Sequence, residues 1–279
     1  MSIQSEPLVI DSAVLMHLPV DAAALLQMGQ RFILPGPMVW HAWGPVDGPV
    51  VVLLHGGSGS WTHWIRTVPP LVLQGMRVLA IDLPGFGDSA APEQGGDVDA
   101  LIEPLHKAWT RLKPQHAPST FVGFSFGGMT AALWLAAYPQ DAQQLVMVGT
   151  PGLGLTVPDR IPLKGWRHLP TPESQELVHR HNLMALMLQE PESLDTLALD
   201  LHGAVQDRRP GAIRQPGLDE QANFYRSVID RAGDHPVTFR WITDEEMAEN
   251  QHLIRTMSVK PPMGTGRVRL VMIGTDGKV

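Results

Sequence analysis

The sequence predicts an α/β protein: a mostly parallel, doubly wound sheet carrying an inserted all-helical segment. Two observations carry this. Short apolar runs rich in β-branched residues at 50–54, 77–83, 119–122 and 145–149 alternate with helical runs at 99–112 and 129–138. Strands separated by helices imply parallel neighbours with helices on both faces. From residue 153 to 233 the texture changes to Leu, Met, His, Gln and Arg, with no strand-like run.

Taken in order, residues 1–30 are mixed, and 20–28 read as a short helix capped by Asp21. Residues 31–34 and 38–43 read as strands separated by the turn Pro35-Gly36-Pro37. Residues 50–54 are continuously apolar, as a strand buried on both faces must be. In 99–112, Leu101, Leu105, Ala108 and Leu112 share one helical side. In the inserted segment, Thr171-Pro172-Glu173 opens a helix over 174–188. Two more helices are expected at 191–205 and 218–232, joined by a Pro/Gly-containing connector at 208–217. Strand character returns at 236–243, a polar-faced helix is expected at 244–257, and 268–273 is a last strand. The expected domains are a core from 1–152, a helical cap from 153–233, and the rest of the core from 234–279.

Bulk properties narrow the function. The 279 residues are 44% hydrophobic, enough for one large core. The formal net charge is -7 and no basic cluster occurs, which argues against a nucleic-acid partner. With no cysteine, thiolate chemistry and disulfides are excluded. The first residues lack a basic n-region followed by an apolar stretch, and no run approaches the ~18 apolar residues of a spanning helix. A cytoplasmic enzyme acting on a small-molecule substrate is expected, with no membrane, metal or cofactor requirement; homo-oligomerisation is left open.

Three turns carry chemistry. Gly123-Phe124-Ser125-Phe126-Gly127-Gly128 lies between a strand and a helix. So tight a turn needs small residues two before and two after the serine, which would sit strained with its hydroxyl exposed. The Phe126 N–H, at the helix start, would face a developing negative charge. His55-Gly56-Gly57 ends the strand at 50–54, and Asp82-Leu83-Pro84-Gly85-Phe86-Gly87-Asp88-Ser89 ends the one at 77–83.

These three motifs, in this order and context, resemble the α/β-hydrolase fold family, in its serine-nucleophile branch with a helical cap after the sixth strand. Esterases, lactonases and meta-cleavage-product hydrolases are similar. The resemblance implies Ser125 as nucleophile, the backbone N–H groups of Gly57 and Phe126 as the oxyanion hole, and a structural role for His55. Trp61 and Trp64 are read as walls of an acyl pocket, with core packing as the alternative. The family order is serine, acid, histidine. The acid is expected after the seventh strand: Asp244 if that strand is 236–243, Asp276 if it is 268–273, with Asp244 preferred and Glu245 and Glu246 close by. The histidine is expected in the loop after the last strand, yet 274–279 contains none and the family's terminal helix is missing too. On this reading the chain is C-terminally incomplete or altered, and His252 and His235 are the remaining candidates. The implied function is hydrolysis of a small, fairly apolar carboxylic ester, thioester or lactone. The alternatives are carbon–carbon hydrolysis beside a ketone, or a weak or inactive hydrolase fold that binds a small molecule.

Competing motifs are set aside. Gly85-x-Gly87-x-x-Ala90 is followed by Pro92 and Gly95-Gly96, so no helix opens to hold a pyrophosphate. Glu103/His106 and Glu176/His179 have di-iron spacing but lie on unrelated elements. Met184 and Met187 suit either an apolar entrance or a helical core.

Overall fold

The computed structural model describes residues 3–92, 98–114, 118–150, 161–188, 191–207, 238–240, 254–259 and 268–273. The chain begins with β1 (Gln4–Pro7), α1 (Ser12–Leu15), α2 (Val20–Gln27), β2 (Gln30–Leu34) and β3 (Met38–Trp43). Pro19, not Asp21, precedes α2 at its cap; Asp21 lies in the first turn, where its charge suits the helix dipole. Then come β4 (Val50–Leu54), a 3-10 turn (Trp61–Trp64), α3 (Val68–Leu73), β5 (Arg77–Ile81), α4 (Asp99–Leu112), β6 (Ser119–Phe124), α5 (Phe126–Ala137) and β7 (Gln144–Val148). Between β7 and the next strand the described residues form α6 (Pro172–Leu186) and α7 (Thr196–Asp207), a 3-10 turn and irregular backbone. Thr171 caps α6 by accepting from Ser174 N–H. The last strands are β8 (Thr238–Arg240), β9 (Ile254–Val259) and β10 (Val268–Ile273).

Among the described residues these strands form one sheet in the order β1-β2-β3-β5-β4-β6-β7-β10-β9-β8. Its centre, β5-β4-β6-β7-β10, is parallel. Two sequence expectations are corrected here. The strand paired in parallel with β7 is β10, with Leu270 opposite Leu145, whereas the described part of the run at 236–243 is the short strand β8, paired with β9. Residues 254–257, expected to end a helix over 244–257, belong instead to β9, which is antiparallel to both β8 and β10. The expected helix at 218–232 lies outside the described residues.

Strand periodicity divides the core in two. Val50, Val52 and Leu54 of β4 join Trp40, Trp109, Phe121 and Trp134 on one face, under α4 and α5. Val51 and Leu53 join Leu26, Trp43, Trp61 and Val68 on the other. Each such apolar side chain removed from water contributes about 1.5–3 kcal/mol. This packing fixes β4, β5 and β6 side by side, so their C-terminal turns converge at one sheet edge, where ligands of open α/β sheets bind.

Helix α5 is tied down at its far end. The buried Asp141 carboxylate accepts from Trp134 Nε1 at 2.8 Å and pairs with His106 Nδ1 at 2.5 Å, and its main-chain oxygen accepts from Ser119 Oγ at 2.8 Å. Thus α4, α5 and β6 share one polar anchor. Asp141→Ala strands the buried Trp134 donor and should destabilise the fold by about 1–3 kcal/mol. A lowered urea midpoint at unchanged m would show this; an unchanged midpoint would contradict the anchor.

Candidate active site

The end of β6 turns into α5 within a single residue. Ser125 has φ 51° and ψ -116°, and the only other described non-glycine residue at positive φ is Ser58, in the loop after β4. Strained backbone persists only where its surroundings over-determine it, and such positions gather at functional sites. Here the surroundings are backbone. A Cβ on Gly123 would lie 2.4 Å from Gly128 Cα and 2.5 Å from Gly127 O, and one on Gly127 would lie 2.3 Å from Leu54 O. A Cβ on Gly128 would strike Thr150 Oγ1. The turn is locked by Ser125 N–H donating to Val148 O at 2.8 Å, while Ser125 O receives Gly128 N–H at 3.0 Å. Ser125 itself is half-buried, and its hydroxyl has no partner among the described residues.

The loop after β4 closes over this elbow. Gly56 sits against it: a Cβ there would lie 2.7 Å from the Phe124 ring and 3.3 Å from Ser125 Cβ. Two imidazoles hold Gly56, that of His55 fully buried and that of His63 half-buried at the cleft wall. His55 Nδ1 donates to Gly56 O at 2.7 Å, and His55 Nε2 accepts Leu83 N–H at 3.0 Å, which sets its tautomer. His63 Nδ1 accepts Gly56 N–H at 3.3 Å, which leaves its proton on Nε2. With the Gly56 carbonyl turned toward His55, the trans peptide points the Gly57 N–H the opposite way. Neither Gly57 N–H nor Phe126 N–H donates to any described residue. Both oxyanion donors expected from the sequence therefore belong to turns packed against one another.

The turn after β5 braces the loop. Asp82 Oδ1 accepts Trp61 N–H at 2.8 Å and Oδ2 accepts Asp88 N–H at 3.0 Å. Gly87, at φ 53°, leaves room for that carboxyl, which a Cβ would strike at 2.3 Å. Ser89 Oγ donates to Asp82 O and receives Val39 N–H. Burial pushes the Asp82 carboxyl up to about 7, against the pull of these two N–H donors. Burial drives the histidines the other way: His55 down to about 4, and His63 down to about 3 with help from His55 and His202. His41, wedged between Trp43 and Trp61, falls to about 3, mainly by burial and secondarily by Arg31. His202, on α7, falls to about 4 by burial and by His179.

Two clefts open beside the loop. One of about 410 Å³ runs from Gly57, Ser58 and His63 to Lys164, Arg167 and His168. The other, about 150 Å³, is apolar, with Ile65, Leu183, Met187 and Leu197 around His63 and His202. Met187 borders both, which favours the entrance reading for that residue. The facing helices are tethered to the core by the Arg66–Asp195 ion pair, and Asn182 holds the 164 backbone from both sides. Trp61 and Trp64 line neither cleft. Both are buried in the second core cluster, with Trp61 packed on Trp43.

Ser125 and Phe126 stand at the elbow, and Gly57 follows Gly56, which packs against it. Asp244, Asp276, His235 and His252 lie outside the described residues. His63 is the member that sequence reasoning misses; its one signal is the glycine four residues earlier, Gly59, whose missing Cβ makes room for the ring.

The sequence model of the alpha/beta hydrolase fold family matches residues 49–256. The chain is 29% identical over 208 residues to the dihydrolipoyllysine-residue acetyltransferase component of the acetoin cleaving system of Pseudomonas putida, covering 72% of this chain and 53% of that protein. It is 32% identical over 125 residues to a 2-hydroxy-6-oxo-6-phenylhexa-2,4-dienoate hydrolase of Burkholderia cepacia, covering 43% and 42%. The chain spans about half the length of the curated relatives it matches. Among solved structures it is similar to Cfl2 of Burkholderia cenocepacia, with TM-score 0.50, 26% identity and coverage of 72% and 73%. An esterase of Rhodococcus sp. ECU1013 shares the fold at TM-score 0.50 and 24% identity, covering 66% and 72%.

The buried titrating groups dictate a pH response. Between about pH 3 and 6.5 the unfolded chain binds protons that folded His41, His55, His63 and His202 refuse, so stability rises with pH across that window. Asp82 opposes this: its folded carboxyl keeps its proton up to about 7 while the unfolded one releases it near 3.8. Four groups outweigh one, and each proton taken up on unfolding contributes about 1.4 kcal/mol per pH unit. Urea midpoints should therefore fall as pH is lowered from 6.5 to 4, most steeply around pH 5, where the unfolded histidines are protonated and the folded ones are not; a flat profile would contradict the lowered imidazole pKa values.

Proposed function

Because the chain belongs to the alpha/beta hydrolase fold family, we propose that it is a serine hydrolase, cleaving a small carboxylic ester, thioester or lactone through an acyl-enzyme on Ser125. The observation that carries this reading is the strained serine at the β6–α5 turn, packed against the loop of Gly56 and Gly57, with the Gly57 and Phe126 N–H groups finding no acceptor among the described residues. Ser125 Oγ attacks the carbonyl carbon as a base takes its proton. The carbonyl oxygen becomes an anion held by Gly57 and Phe126 N–H. The leaving group departs protonated, and water then releases the acid.

The partners of Ser125 follow from the sheet order. The resemblance places the acid after the family's seventh strand; β10, paired in parallel with β7, is taken as that strand, which supports Asp276, three residues beyond Ile273, over Asp244. His55 and His63 do not serve as base in their present states, because each spends its lone pair on a backbone N–H. His235 and His252 remain the candidates; their positions are outside the described residues. That commitment of both nearby imidazoles favours a second reading, a fold that binds its ligand and turns it over weakly through the oxyanion hole alone. A third is carbon–carbon hydrolysis of a carboxylate-bearing ketone, supported by the larger cleft, which is lined by Lys164, Arg167 and His168 and, among the described residues, by no acidic side chain.

A fluorophosphonate probe with p-nitrophenyl butyrate tests the assignment. The protein should be labelled at Ser125 and hydrolyse the ester, with both lost in Ser125→Ala. Asp276→Asn should lower kcat by about a hundredfold or more, since an acid that orients the base is worth up to 10⁴, and Asp244→Asn should leave it within about threefold. Labelling without turnover would favour the weak catalyst; no labelling would overturn the hydrolase.

A further inference from the structure

We infer that His63 is a positioning residue of the oxyanion hole: by accepting the Gly56 N–H it anchors the 55–56 peptide, next to the 56–57 peptide that presents the Gly57 donor. The catalytic part of this claim rests on the serine-hydrolase reading; the positioning part does not.

The need for such a residue arises from Gly56. It must be glycine, because a Cβ would strike the Phe124 ring. Glycine also has the greatest conformational freedom of any residue, so left to itself it would let the following peptide rotate. That rotation is stopped from both sides. His55 takes the Gly56 carbonyl at 2.7 Å, and His63 takes its N–H at 3.3 Å. The His55 bond holds the 56–57 peptide itself and the His63 bond holds the peptide before it, so together they clamp both torsions of Gly56, and loss of the His63 bond frees the glycine on one side. Its direction is then set before any substrate arrives, as electrostatic preorganisation requires.

His63 is itself seated with care. Its ring rests where the Cβ of any other residue at 59 would lie, 2.1 Å from Cε1. It meets the Phe124 ring edge-on at 5.8 Å and the His55 ring at 5.9 Å, with interplanar angles of 75° and 88°. Its short helical turn is pinned by Ser60 accepting from Thr62 N–H and by Asp82 accepting from Trp61 N–H. An acceptor nitrogen must be unprotonated, and burial keeps His63 neutral down to about pH 3. A side chain that merely filled space at the cleft wall would need none of this.

Asparagine and leucine separate the two roles. They are close in shape, and Asn Oδ1 takes the place of imidazole Nδ1, whereas leucine offers no acceptor. The experiment compares His63→Asn and His63→Leu in the full chain by kinetics with p-nitrophenyl butyrate, inhibition by butylboronic acid, and amide hydrogen exchange over residues 55–61. We expect His63→Leu to lose about 30-fold in kcat, less than the hundredfold or more for a donor removed outright, with KM within about twofold and boronate affinity falling in parallel. His63→Asn should retain kcat within about threefold, and exchange over 55–61 should quicken in His63→Leu alone. Equal behaviour of the two variants, or a change in KM with kcat intact, overturns the proposal. Should the wild-type protein hydrolyse no ester, the function reading fails, and the exchange comparison alone decides: faster exchange in His63→Leu than in His63→Asn supports the role, and equal exchange refutes it.

Discussion

The site depends on one unfavourable backbone conformation, Ser125 at φ 51°. An L-residue there costs of order 1–3 kcal/mol, and nothing local compensates. The conformation persists because its neighbours leave no alternative. Gly123, Gly127 and Gly128 bring α5 so close to β4 and β6 that a methyl group on any of them would collide with another residue. The closeness follows from β6 being paired on both sides, and from Asp141 tying the far end of α5 to α4 and β6. Packing of the whole sheet thus holds one hydroxyl out of the core.

The second device is polar and buried. Gly56 lies between two imidazoles, and the loop that carries it is braced by Asp82 through Trp61. Buried polar groups are costly unless paired, so such a network defines one geometry strongly when complete. Burial keeps the imidazoles neutral and the Asp82 carboxyl near its point of ionisation, so the same desolvation that positions the loop gives the fold its pH response.

Much of this was legible in the residues. The glycine spacing around Ser125, and the motifs at 55–57 and 82–89, state a local backbone demand that only a tight strand-to-helix turn meets. Helices 99–112 and 172–186 announced themselves by periodicity and by Thr171. The order of the last strands was not legible: 236–243 and 268–273 are both apolar and β-branched, and which one lies beside β7 is a matter of long-range pairing that no local pattern encodes. Residues 254–257 read as the end of a helix because the acidic residues before them, Asp244, Glu245, Glu246 and Glu249, suggest a solvated helical face. His63 escaped notice because a lone histidine between Thr62 and Trp64 carries no pattern; its meaning arises from contacts with Gly56 and Gly59. Trp61 and Trp64 stood where a pocket wall would stand, yet the sheet face beneath them claimed both for the core.

The most direct test of the account is a high-resolution crystal structure of the protein after reaction with a diethyl phosphonate. Ser125 should keep its positive φ, with Oγ bonded to phosphorus and the phosphoryl oxygen about 2.7–3.1 Å from the N–H groups of Gly57 and Phe126. A phosphoryl oxygen turned to solvent, or Ser125 relaxed into ordinary helical backbone, would contradict it.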